Sequence, residues 1–142
     1  MIQLASKHIE AMKKHAETDY PYECCGILIG TIEADQSKRV EQVLSISNAR
    51  DVENRHNRYL ITPEEILKTE LYARKHRMDI VGFYHSHPDH EATPSAYDVE
   101  HAWPFYSYFI VSIEKGKADN FTVSQLSEDR LRLDTELIKQ GE

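Results

Sequence analysis

Apolar and polar positions along this chain switch repeatedly between a helical and a strand period. From Ile2 to about Glu17, Ala5, Ile9, Met12 and Ala16 recur at three- and four-residue spacing, with Lys, Glu and His on the other faces, which predicts an amphipathic helix. Pro21 ends it, and Cys25–Gly30 is a short unbroken apolar run of the kind found in a strand buried on both faces. Arg39–Ser47 alternates in part through Val40, Val43, Leu44 and Ile46 and predicts a second, antiparallel strand. Asn48–Asn57 is polar and patternless, a loop, and Arg58–Ile61 predicts a brief strand.

Thr62-Pro63-Glu64-Glu65 is a helix start, with Thr as N-cap, Pro at the first helical position and Glu65 three residues after the cap. That helix should run to about His76 and bury Ile66, Leu67, Leu71 and either Ala73 or the stem of Arg74. Asp79–His85 predicts a strand, Pro88–Pro94 a turn-rich stretch, and Thr93-Pro94-Ser95 the start of a short helix over Ser95–Ala102. Ser107–Ile113 and Asn120–Leu126 are the last clear strands, and the tail from Glu128 to Gln140 suits either a strand or a helix. No repeat, low-complexity stretch or linker interrupts the 142 residues, so a single domain spanning 1–142 is expected. Helices and strands intermixed over one short chain predict an α/β sandwich with a mixed sheet.

The composition, 40% hydrophobic and 29% charged, is that of an ordinary globular domain and excludes disordered and collagen-like classes. A formal net charge of -7 argues against a general binder of nucleic acid or anionic membranes. No run approaches the ~18–20 apolar residues of a membrane helix, and no basic stretch followed by an apolar core marks a signal peptide. The two cysteines, Cys24 and Cys25, are neighbours, which rarely pair with each other, and no third thiol is present. A reducing cytoplasm is the expected location.

The chemistry centres on Gly82-Phe83-Tyr84-His85-Ser86-His87-Pro88. At a strand end, residues i and i+2 share a face, so both imidazoles can reach one ion. A lone His-x-His is equally at home as a pair of hydrogen-bonded structural histidines. Asp98, however, follows after a loop long enough to fold back and add a carboxylate. Two imidazoles and one carboxylate leave a fourth position for water, the arrangement of a catalytic rather than a structural zinc site. Glu23, between the Pro21 turn and a buried strand, is the candidate proton carrier. Asp89 and His90 are weaker alternative ligands, and His101 a candidate for contact with the site from the Asp98 helix. Trp103, Phe105, Tyr106 and Tyr108 suit core and groove wall, while His8, His15, His56 and His76 read as solvent-facing.

Taken together, Glu23, His85-Ser86-His87-Pro88, Ser95 and Asp98 resemble the JAMM motif of the JAMM (MPN-plus) metallopeptidases, including the ten residues between His87 and Asp98. Tyr20-Pro21-Tyr22-Glu23-Cys24-Cys25-Gly26 and Thr93-Pro94-Ser95 are similar to the short bacterial members. The resemblance implies a cytidine-deaminase-like α/β sandwich with a central mixed sheet flanked by helices. It implies Zn2+ held by His85, His87 and Asp98, Glu23 as general acid/base, and Ser95 as the hydroxyl that steadies the oxyanion. The implied substrate is a small ubiquitin-like or sulfur-carrier protein, cut after the last glycine of a C-terminal Gly-Gly tail. Such a tail could pair with an open edge of the strand carrying His85 and His87, or of a neighbour. Two rivals stand beside this reading. A zinc deaminase would need a Pro-Cys-x-x-Cys ligand pair beside its His-x-Glu, and the chain has only the adjacent Cys24 and Cys25. A non-catalytic MPN-type interaction module would have no use for an intact metal motif.

Overall fold

The computed structural model describes residues 1–141. The elements in chain order are β1 (Ile2–Ala5), α1 (Ser6–Asp19), β2 (Cys25–Ile32), β3 (Lys38–Ile46), α2 (Pro63–Lys75), β4 (Asp79–Pro88), α3 (Ala96–His101), β5 (Ser107–Glu114), β6 (Lys117–Leu126), β7 (Leu133–Thr135) and β8 (Ile138–Gly141). All eight strands join one mixed sheet in the order β7-β6-β5-β4-β2-β3-β1-β8. The predicted α/β architecture with a central mixed sheet is the one observed.

The two outermost strands, β7 and β8, are consecutive in sequence and separated only by Glu136 and Leu137. Two residues span well under ~10 Å, so the sheet must curl until its edges nearly meet. The link bonds both sides: Glu136 N–H donates to Val123 O on β6, and Ile2 N–H of β1 donates to Leu137 O. A buried polar cluster ties the same seam. Lys38 Nζ donates to Ser107 Oγ (2.8 Å) and to Phe105 O, and Ser107 Oγ donates to Glu136 Oε1 (2.6 Å).

The sheet is covered on both faces, which is why β2 is apolar without alternation. On one face Ile9, Met12 and Ala16 of α1 pack with Leu28, Val40, Val81, Tyr84 and Phe109. On the other, Ala73 of α2 packs with Ile27, Ile29, Ile80, Phe83 and Tyr108. Between the pairs Leu28↔Gly82 and Ile29↔Ile80 the register slips by one residue on β4. This bulge lets Ile80 and Phe83 share the α2 face and carries His85 and His87 to that face as well.

Several sequence expectations change. Ile2–Ala5 is a strand, not the first turn of a helix: Ile2 and Leu4 are buried alternately and pair in parallel with β3 and β8. Local period could not reveal partners more than thirty residues away. Arg58–Ile61 forms no strand; Leu60 exchanges bonds only with Asn48 Oδ1 and Ala49 N–H. In α2, Leu67 and Leu71 are more than half exposed, and the helix docks through Ile66, Thr69 and Ala73, whose small members allow close approach to the sheet. The tail resolves into β7 and β8. His8 is buried and His15 donates or accepts with Tyr84 Oη at 2.7 Å, so neither is solvent-facing, whereas His56 and His76 are exposed.

Candidate metal centre

Three connections bring Glu23 beside the two histidines. Cys25 pairs with His85 across β2 and β4. Just beyond that pair, Ser86 N–H donates to Cys24 O (3.2 Å) and Cys24 N–H donates to Ser86 Oγ (2.8 Å). The serine between the histidines therefore fixes where the chain enters β2. Because β4 lies between β2 and β5, its Gly82–His85 stretch has no open edge for an added peptide strand.

His85 Nε2 and His87 Nε2 lie 3.1 Å apart; His85 Nε2 is 3.1 Å from Asp98 Oδ1, and His87 Nε2 is 3.1 Å from Asp98 Oδ2. All three side chains are nearly enclosed, at 1%, 10% and 7% exposure respectively. His87 Nδ1 donates to Glu91 O (2.8 Å), so a neutral His87 presents its Nε2 lone pair to the group. Tyr59 orients His85 by stacking on it at 4.5 Å and 19°. A proton placed on one nitrogen leaves at least one of the three short contacts with two like partners facing each other. A cation among them satisfies all three, and the donor atoms lie within 4.8 Å of one another. The residues fit a divalent metal of the borderline type that prefers imidazole and carboxylate.

Asp98 is delivered by a capping box on α3. Asp98 N–H donates to Ser95 Oγ (3.1 Å), and Ser95 N–H donates to Asp98 Oδ2 (2.9 Å). The hydroxyl of Ser95 accepts in this bond, so its own proton stays free for another partner. Burial works against ionisation of Asp98, yet hydrogen bonds from the two imidazoles and from Ser95 hold its carboxyl well below the usual range. His85 titrates low because burial outweighs its Asp98 contact, and His87 titrates high because Asp98 and the Glu91 carbonyl outweigh burial.

Glu23 is buried, and burial above all, with Asp98 adding to it, pushes its carboxyl up to about 8, against the pull of His87 and Arg58. It lines a cavity of about 400 Å³ with Arg58, His87 and Ser95. A larger cavity of about 760 Å³ lies on the far side of the 90–93 segment; Glu23, His85, His87 and Asp98 do not line it.

Asn48, read from sequence only as a loop residue, organises this corner. Its Nδ2 donates to both Glu23 O and Arg58 O at 3.0 Å, and its Oδ1 accepts from Arg50 N–H and Leu60 N–H. Asn48, Arg58 and Tyr59 are the site residues that sequence reasoning missed. Isolated polar and aromatic residues in a loop carry no spacing that could have flagged them. The other candidates fall away from the group. Asp89 accepts from Tyr20 Oη and Lys115 N–H, His90 is exposed, and His101 folds back on Tyr97 of its own helix. The Cys24 thiol is pushed up to about 12 by burial and Cys25 still higher, so neither supplies a thiolate near neutral pH. Tyr108 is core, but Trp103 and Phe105 are exposed.

Two imidazoles and a carboxylate with room at one side, next to a buried acid, form a site of the kind that catalytic metals occupy. The model of the family described as prokaryotic homologues of the JAB domain matches residues 5–125, and the chain belongs to that family. The desampylase of Haloferax volcanii is 34% identical over 116 residues, covering 78% of this chain and 80% of that protein. The CysO-cysteine peptidase of Mycobacterium tuberculosis is 35% identical over 105 residues, covering 73% and 68%. A solution structure of a protein from Desulfitobacterium hafniense, 33% identical, superposes with a TM-score of 0.85 over 100% of this chain and 94% of its own. A JAB1/MPN domain protein from Archaeoglobus fulgidus, at 14% identity and a TM-score of 0.61 over 100% and 98%, shares the fold. Among the described residues, no helix is long and apolar enough to cross a membrane.

Proposed function

We propose that this protein is a zinc-dependent peptidase or isopeptidase that cleaves the amide bond after the C-terminal glycine of a small ubiquitin-like or sulfur-carrier protein. The observation that carries the reading is the convergence of His85 Nε2, His87 Nε2 and the Asp98 carboxylate at 3.1 Å beside buried Glu23. The relatives named desampylase and CysO-cysteine peptidase support the substrate class.

His85, His87 and Asp98 would hold the metal. Bound zinc acts as a Lewis acid and lowers the pKa of water from ~15.7 towards ~7. Glu23 accepts the proton of the attacking water and passes it to the leaving amine. A carboxyl that prefers to keep its proton is suited to the second half of that transfer. The Ser95 hydroxyl, its oxygen accepting from Asp98 N–H, donates to the carbonyl oxygen as that oxygen becomes negative. Atoms balance as water is split across the C–N bond, giving a C-terminal glycine carboxylate and a free amine.

The test is metal content read beside activity. Purified protein should hold about one zinc per chain, and His85→Ala, His87→Ala or Asp98→Ala should lose most of it along with turnover. Glu23→Gln should keep zinc and lose at least ~100-fold in rate. A His85→Ala protein with undiminished zinc sinks the ligand assignment, and a Glu23→Gln protein that loses zinc makes Glu23 a ligand instead. Intact zinc with no hydrolysis of any carrier adduct returns the protein to the class of interaction modules.

A further inference from the structure

Arg58 is the one guanidinium lining the cavity that holds Glu23, His87 and Ser95, and nothing in the reaction above uses it. Its position is built. Asn48 clamps the carbonyls of residues 23 and 58 to one amide, both at 3.0 Å, so the backbone of Arg58 runs beside that of Glu23. Glu23 N–H donates to Arg55 O (2.6 Å), which holds the same loop from its other end. The Arg58 guanidinium lies over the Tyr97 ring at 4.3 Å, and its hydrogen bond is to the neighbouring Asn57 carbonyl. Among the described residues no carboxylate stands within ion-pair distance of it. A planar cation held on an aromatic face, with most of its donors uncommitted, is suited to bidentate capture of a carboxylate.

The place of that cation within the reaction identifies the carboxylate. Glu23 delivers its proton to the leaving nitrogen, so the leaving group lies on the Glu23 side of the cavity. In an adduct between the carrier's last glycine and a free α-amino acid, only the α-carbon separates the scissile nitrogen from a carboxylate. In an isopeptide to a protein lysine, four methylenes separate that nitrogen from the lysine backbone, and no charge lies nearby. The other titratable groups on the cavity wall are His90 and Glu91, and Glu91 would repel a carboxylate from its own side. Arg58 therefore offers the favourable end.

Resting on the hydrolase reading above, we propose that Arg58 is a specificity residue that binds the α-carboxylate of the leaving amino acid, making an aminoacyl adduct of the carrier the preferred substrate over a lysine isopeptide. On cleavage the glycine C–N bond breaks, water supplies the new carboxylate oxygen, and the amine leaves protonated while Arg58 still holds its carboxylate.

The experiment uses zinc-loaded Glu23→Gln protein, so that binding is read without turnover, and a ubiquitin-like carrier ligated to a single alanine. The alanine ends either as the free acid or as the carboxamide, and a third adduct is the lysine isopeptide. The free acid should bind at least ~30-fold more tightly than either of the others, the scale of a charge-assisted pair. Adding Arg58→Gln should erase that ratio by weakening the acid alone; Arg58→Lys should restore part of it. Equal affinity of acid and amide, no binding of either, or an Arg58→Gln loss shared by all three adducts overturns the assignment. An intact acid preference in a wild-type enzyme that never hydrolyses the adduct rejects the hydrolase reading and leaves the role of Arg58 standing.

Discussion

Replacing Glu23 by Gln should make the chelator-treated protein more stable as pH rises, at the expense of its chemistry. Burial chiefly, with Asp98 in support, lifts the Glu23 carboxyl from its ordinary 4.5 to about 8. The folded state therefore holds a proton that the unfolded chain has released, so folding is favoured below the lower value and disfavoured above it. Between the two, stability falls by ~1.4 kcal/mol per pH unit, a total of about 5 kcal/mol, with about 2.5 kcal/mol of it lost between about pH 5 and pH 7. That is a large share of the 5–15 kcal/mol typical of a whole domain. Gln has nearly the same shape and cannot ionise, so its curve lacks this slope. The assay is urea unfolding of both proteins in a chelator at several pH values, comparing the difference in unfolding free energy rather than either value alone. The advantage of Glu23→Gln should grow by about 2.5 kcal/mol over that interval. Zinc should shrink the growth, because a cation beside the site favours the carboxylate. Parallel curves in the chelator would refute the claim that Glu23 is a buried, costly acid.

Ser95→Ala removes both the N-cap of α3 and a hydroxyl that lines the cavity; it should cost about 1 kcal/mol in chemical unfolding and at least ~10-fold in kcat with zinc content unchanged. Changing the carrier's last glycine to Ala or Val should lower kcat/KM by ~100-fold or more, worth ~2.7 kcal/mol in the transition state, while a loss of a few-fold would favour a general peptidase. Gly26→Ala should be strongly destabilising, by ~3 kcal/mol or more in urea midpoints. A Cβ there would enter the Tyr84 ring and the Leu44 carbonyl oxygen, and the backbone oxygen cannot move aside.

Much of this protein was written in local pattern. The unbroken apolar run of β2, the Thr62-Pro63 start of α2 and the Thr93-Pro94-Ser95 start of α3 announce their elements because propensity and capping act within a few residues. His85 and His87 were legible for the same reason, a strand's period of two, and Asp98 through the ten residues that separate it from His87. What the tertiary structure decided depends on partners far along the chain. Ile2–Ala5 is a strand because β3 and β8 flank it, and the sheet curls because β7 and β8 must hydrogen-bond at opposite edges across a two-residue link. The bulge on β4 turns His85 and His87 to the α2 face only against the register of β2. The acidity of Glu23 and the posting of Arg58 beside it rest on burial and on the Asn48 clamp, which joins residues 25 and 10 positions away. Desolvation and long-range hydrogen bonds have no period, so only the folded chain could reveal them.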